Sequence, residues 1–322
     1  MRRREFVRLL GGAAVAWPLA SSAQSKIARI GFMGNSTAAL EANLVGAFRE
    51  GLREQGYEEG RNIAIEYRWA DGNYERFSVL VTGLIAVKVD VIVTAGTPAA
   101  LAMKNATTTV PLVMVAVGDP VGTGLVPSLA RPGGNLTGLS SIAPDLEGKR
   151  LQLLREVVPA LSHVAMFVNS FNPFHVSSMK QARAAAQAMG IKLQLHDISK
   201  SEDLDGAFAA IREERPDALL ILADRIFLHN RERLMDFTRE QRLPNVNAYN
   251  ELVEIGGLMS YGPSYEDMHK RAAIYVDKSS RAPSRPICRL SNRTSLRSSL
   301  TSRRPKHSVS QCHRNSLGSP TS

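Results

Sequence analysis

Cysteine is missing from residues 24–278; the only two in the chain, Cys288 and Cys312, stand near its end. That absence removes cysteine nucleophiles, cysteine-ligated metals and disulfides from the body of the chain, and an exported body would need none. The body also lacks GxxxxGK[ST], HExxH and any paired CxxC. Nothing therefore marks a P-loop nucleotide site or a zinc hydrolase. His175, His229 and His269 are too dispersed for a metal spacing, and no metal or cofactor is expected. The stretch 279–322 lacks Asp, Glu and aromatic residues altogether, while holding thirteen Ser, eight Arg and one Lys.

That last absence explains the charge. The chain is +10 with a pI near 9.8, but +9 lies in 279–322 and +3 in the first 23 residues, leaving 24–278 at −2. Taken whole, such a basic chain would point to nucleic acid. The body gives that reading no support, so no nucleic-acid partner is expected.

The N-terminus reads as an export signal over residues 1–23. Arg2, Arg3 and Arg4 form a basic start, Leu9–Ala20 is apolar, and Ser21-Ser22-Ala23 offers a small-residue cleavage site. The apolar run is shorter than the roughly 20 residues that cross a bilayer. Arg3-Arg4-Glu5-Phe6 resembles a twin-arginine signal. The expected location is the periplasm, by either the Tat or the Sec route.

The Arg/Ser-rich tail, 279–322, cannot bury a core and is expected to be disordered. A shifted reading frame accounts for its composition. With suitable synonymous codons, Arg293–Ser302 read one base earlier encodes P-x-K-F-A-L-V-I-D-L, a strand-like segment. Sequencing the gene around codon 278 decides the point.

Between the ends, β-like and helical patterns alternate, which predicts α/β layers with largely parallel strands. The expected strands are Ile27–Met33, Ile63–Tyr67, Val89–Val93, Leu112–Val117, Val164–Val168, Ile191–Leu195 and Ala218–Leu222. Leu40, Leu44, Phe48 and Leu52 recur every four residues, a helix stripe that Gly56 ends. Further helices are expected over Tyr74–Val87, Thr97–Asn105, residues 146–158, Ser177–Met189, Leu204–Glu213 and Arg225–Gln241. Two βα series with a break near Gly134–Ser141 predict two similar lobes.

In open parallel sheets, ligands sit beyond the carboxyl ends of the strands. The residues just after the predicted strands are Gly34-Asn35-Ser36, Ala95-Gly96-Thr97-Pro98, Gly118-Asp119-Pro120, Asn169-Ser170-Phe171 and Ala223-Asp224-Arg225. Thr97 suits an N-cap and Pro98 a first helical position. The N–H groups behind them can face a carboxylate, or simply cap a helix. Asp119 and Asp224 can hold an ammonium group, or serve as turn and cap residues. Phe171, Tyr249 and Tyr261 can line an apolar slot or pack in the core. The set contains no nucleophile with a base.

At these positions the chain resembles a known family. Gly31-Phe32-Met33-Gly34-Asn35-Ser36, Thr94-Ala95-Gly96-Thr97-Pro98-Ala99-Ala100, Gly118-Asp119-Pro120-Val121-Gly122 and Leu129–Gly138 (LARPGGNLTG) look like the solute-binding proteins of ABC transporters, of the TrpX-like, type I periplasmic-binding kind. The resemblance runs to about Lys278, after which the family pattern resembles the frame-shifted reading of the tail. It implies two Rossmann-like lobes joined by hinge strands: 24–140, 141–247, and a return segment over 248–278. It also implies a small amino-acid-like ligand, delivery to an inner-membrane permease, and a monomer that makes and breaks no bonds. By position, the cleft carries over to Asn35, Ser36, Gly96, Thr97, Asp119, Asn169 and Asp224, with Tyr261 as a candidate ring. Ser170 departs from the family's N-P-x-N-P at that loop. Alternatives are an α/β enzyme using Asp119 or Asp224 as base, a repressor with a similar core, and a truncated non-functional product.

Overall fold

A computed structural model describes residues 28–141, 146–281 and 296–300. The expected export signal over residues 1–23 and both cysteines lie outside them. Strands β1 (Ala28–Gly34), β2 (Ile63–Trp69), β3 (Val91–Ala95), β4 (Leu112–Gly118) and β5 (Leu136–Ser141) form one parallel sheet in the order β2-β1-β3-β4-β5. Helices α1 (Ala42–Glu54), α2 (Phe77–Ala86) and α3 (Thr97–Ala106) connect its first four strands. Every residue of β3 and β4 is buried. This is why both read as near-continuous apolar runs, broken in β3 only by Thr94, rather than alternating ones, each fully buried Val, Ile or Leu adding about 1.5–3 kcal/mol of burial.

The second sheet has the order β11-β10-β9-β8-β6-β7. Its parallel part comprises β6 (His163–Val168), β7 (Lys192–Asp197), β8 (Ala218–Ile221), β9 (Asn245–Asn247) and β10 (Met259–Pro263). Its helices are α4 (Glu147–Val157), α5 (Phe174–Met189), α6 (Asp203–Glu214), α7 (Arg225–His229), α8 (Arg231–Glu240) and α9 (Asn250–Glu254). The single helix expected over Arg225–Gln241 is two: the chain breaks at Asn230 (φ −96°, ψ 19°), whose Nδ2 donates to the Ile226 carbonyl at 2.9 Å.

Helix α10 (Tyr265–Arg281) leaves the second sheet after β10 and packs back on α1 and on β3, β4 and β5. Lys270 on α10 pairs with Glu50 and Glu54 on α1, each at 2.8 Å. A Cβ added at Gly51 would lie 2.0 Å from the Lys270 carbonyl oxygen, so the two helices meet backbone to backbone there. The segment 248–278 is therefore divided: β10 completes the second lobe, and α10 completes the first. The helix also continues to Arg281, three residues past the expected boundary.

Within the tail, β11 (Leu296–Leu300) pairs antiparallel with β10, Leu300 opposite Met259. The disorder expected of the tail does not extend to these five residues. An edge strand offers a row of unsatisfied N–H and C=O groups that will accept almost any extended partner. The pairing falls inside the ten residues that the shifted frame reads as a strand.

Candidate functional site

The carboxyl ends of the two sheets face each other across a narrow cavity of about 20 Å³. The first lobe lines it with Tyr74, Gly96, Thr97, Ala116, Gly118 and Ser141. The second contributes Asn172, Phe174, Asp224, Arg225 and Tyr249, and Tyr265 at the start of α10 closes one end.

Gly96 owes its place to backbone conformation. It sits at φ 83°, ψ 155° as the cap of α3, a φ that favours glycine. The cap is thus one residue earlier than expected, and Thr97 is already helical. The Thr97 hydroxyl is occupied by the end of β4: it accepts from the Gly118 N–H and lies 3.2 Å from the Gly118 carbonyl, to which it donates. Its role is to pin the α3 turn to β4.

Asp224 is the most heavily bonded side chain in the cavity. It is 2% exposed and caps α7 through Ile226 N–H to Oδ1 at 2.9 Å. The Tyr74 hydroxyl also donates to Oδ1, and Asn172 Nδ2 donates to Oδ2 at 2.7 Å. Tyr74 belongs to the first lobe, so this carboxylate joins the two halves. Burial, then the neighbouring Asp224, pushes the Tyr74 phenol well above its ordinary range and keeps it a donor. His175 stands 3.8 Å behind Oδ2. Its Nδ1 accepts the Asn169 N–H at 2.8 Å, which leaves Nε2 to donate to the Ala223 carbonyl at 3.2 Å. Burial lowers its pKa, in keeping with a neutral ring.

Arg225 was not singled out as a site residue, although it stands at the tip of β8. It is 5% exposed, with its guanidinium 4.8 Å from the Tyr265 ring centroid and 5.7 Å from that of Tyr249. Among the described residues, neither Nη1 nor Nη2 has a hydrogen-bond partner. Glu41 feels its charge, but both backbone N–H groups of Asn35 and Ser36 already donate to Glu41 Oε1, at 2.8 and 2.7 Å. Burial of Glu41 outweighs these and raises its pKa.

The remaining expected residues are distributed unevenly. Asn35 lies beneath the cavity, its Nδ2 donating to the Ala95 carbonyl at 3.0 Å. Ser36 Oγ meets His229 Nδ1 at 2.7 Å, a second bond between the lobes. Asn169 supports the wall from behind, accepting the Phe171 N–H at 3.0 Å. The N–H that Ser170 restores to this loop donates to Asp197 Oδ1 at 2.8 Å. Phe171 is 71% exposed at the mouth of the cleft, and Tyr249 lines the cavity.

Two expected residues are not brought in. Asp119 has φ 39° and accepts the Gly122 N–H at 2.8 Å, so it shapes the turn after β4. Tyr261 lies on β10, where its carbonyl accepts Arg150 Nε at 2.8 Å. Tyr74, Asn172, Phe174, Tyr265 and His229 were all missed, because none follows a predicted strand directly.

Two parallel αβ sheets whose strand tips share one cleft are the architecture of a type I periplasmic binding protein. The family model for ABC transporter substrate binding proteins matches residues 36–279, and the chain belongs to that family. It is 26% identical over 226 residues to the tyrosine-binding protein of Clostridioides difficile (strain R20291), covering 70% of this chain and 64% of the relative, just under two thirds of its length. A conserved domain protein from Vibrio cholerae O1 biovar El Tor superposes with a TM-score of 0.75 at 28% identity, over 84% of this chain and 91% of that one. A domain from Streptococcus pneumoniae in complex with L-Trp has a TM-score of 0.77 over 85% and 91%; at 20% identity it speaks for the fold alone.

Proposed function

We propose that this protein is the exported solute-binding component of an ABC transporter. It captures a small amino-acid-like solute between its lobes and presents it to an inner-membrane permease. The observation that carries this reading is the clasp around the cavity: Tyr74 to Asp224 and Ser36 to His229 both cross from lobe to lobe. Contacts made only when the lobes meet shift the population toward the closed form. The three tyrosines of the lining favour an aromatic solute, and the tyrosine-binding relative agrees. Binding without chemistry, residence in the periplasm after loss of residues 1–23, and a monomeric state belong to the same proposal.

A thermal-shift screen of the full chain with L-tyrosine and the other proteinogenic amino acids tests it; a bound solute raises the melting temperature by mass action. Gly118→Val supplies the structural control. A Cβ at Gly118 would lie 2.4 Å from the Phe174 ring of the opposite lobe, so the valine acts as a wedge between them. It is expected to weaken L-tyrosine binding at least tenfold while leaving the melt of the empty protein within a few degrees of wild type. Absence of any stabilising solute in the screen contradicts the proposal.

A further inference from the structure

We infer that the solute carries a carboxylate and that Arg225 grips it, with no ammonium group required; this rests on the solute-binding reading above. A guanidinium presents planar, paired donors that match a carboxylate's two oxygens. Arg225 is 5% exposed, lines the cavity, and has both terminal nitrogens without a partner among the described residues. Burial opposes that charge, and Glu41 and the two neighbouring rings offset it in the empty protein, while a carboxylate guest would supply the hydrogen bonds the two nitrogens lack. The rings of Tyr249 and Tyr265 hold the guanidinium plane in position.

The partner expected for an ammonium group is already committed. Asp224 accepts from Tyr74, Ile226 and Asn172, and Asp119 is engaged in its own turn. Three of the roughly four acceptor sites of the Asp224 carboxylate are thus filled, while both terminal nitrogens of Arg225 stay open, so the described wall has more free donors than free acceptors. That balance defines the substrate class as a small, ring-bearing carboxylate. An aromatic amino acid fits through its carboxylate, and the deaminated acid fits equally well.

Three probes separate the groups: L-tyrosine, 3-(4-hydroxyphenyl)propionate and tyramine, read by calorimetry and thermal shift on the full chain. The two carboxylates are expected to bind within tenfold of each other, and tyramine at least a hundredfold more weakly. Arg225→Met should abolish the response to both acids, while the empty variant still folds and melts within a few degrees of wild type. Arg225→Lys, which keeps the charge but not the paired donors, should fall between. Tyramine binding without the acid, or an Arg225→Met variant that melts well below wild type or fails to fold, overturns the inference. If no probe binds the wild-type protein, the aromatic-solute reading fails, and the melt of empty Arg225→Met still decides the role of Arg225.

Discussion

Asp224→Ala is expected to weaken solute binding at least tenfold, about 1.4 kcal/mol, and to destabilise the empty protein by about 3 kcal/mol or more. The reason is the number of donors that converge on this carboxylate. The Tyr74 hydroxyl and Asn172 Nδ2 lose their acceptor in the variant, and the Ile226 N–H keeps only the longer bond to the Tyr74 oxygen at 3.2 Å. Each is buried or partly so, and a buried donor left without a partner costs about 1–3 kcal/mol. The loss also removes the α7 cap and, with it, the placement of Arg225 one residue later. Tyr74→Phe separates the two effects. It removes only the bond between lobes, so binding should fall while the unfolding of the second lobe stays unchanged. Urea titration with and without L-tyrosine reads both quantities, and an Asp224→Ala variant with wild-type affinity and midpoint would remove Asp224 from the clasp.

Gly138→Ala should cost still more, about 4 kcal/mol, and abolish solute binding with the fold of the first lobe. Gly138 sits in β5 at φ 137°, and a Cβ there would lie 1.9 Å from the Met114 carbonyl oxygen. Neither the side chain nor the backbone conformation can be accommodated without moving β4. The position matters because β4 and β5 change register between Met114 and Val117, where Ala116 takes φ 53°. Such an irregularity re-aims a strand end. Ala116, Gly118 and Ser141, all beyond or beside it, line the cavity. A Gly138→Ala protein melting within a degree or two of wild type would show that the two strands are not locked in this register.

Much of this fold is legible in the sequence because burial on both faces leaves an unmistakable trace. Val91–Ala95, Leu112–Gly118 and Ala218–Ile221 are near-continuous apolar runs, and all three are strands with every residue buried. Leu44, Phe48 and Leu52 mark the buried stripe of α1 in the same way. No element was expected beyond Gln241, and two of those that escaped owe their burial to polar side chains. Asn245–Asn247 is a buried strand with one apolar residue. Its asparagines serve neighbouring backbone: Asn247 Nδ2 donates to the Met259 carbonyl and Asn247 Oδ1 accepts the Tyr249 N–H. Leu136–Ser141, half Ser and Thr, reads as part of a break but is a fully buried strand.

The site divides along the same line. Strand tips are local features, so Gly96, Thr97 and Asp224 were accessible to inspection and line the cavity. Asp119 met the same local criterion, yet its carboxylate turns back on Gly122. An Asp that closes a turn and an Asp that faces a cleft look alike in a sequence. Tyr74 and Phe174 gain their roles only from the opposing lobe, and no spacing along the chain records that approach. Arg225 did leave one sign: a cation directly after a buried strand and a cap Asp has few places to go except a partner or a ligand.

The central claim is that a guest is held by closure of two lobes, and the distance between the lobes tests it most directly. Val79 on α2 and Val176 on α5 are 74% and 67% exposed and lie on opposite lobes. With Cys288 and Cys312 replaced by Ser, Val79→Cys and Val176→Cys give a labelled pair for energy transfer in the full chain. L-tyrosine or 3-(4-hydroxyphenyl)propionate at saturation should bring the labels closer and sharpen their distribution, and Gly118→Val should hold them apart. Labels that keep the same separation while a probe demonstrably binds would contradict the account.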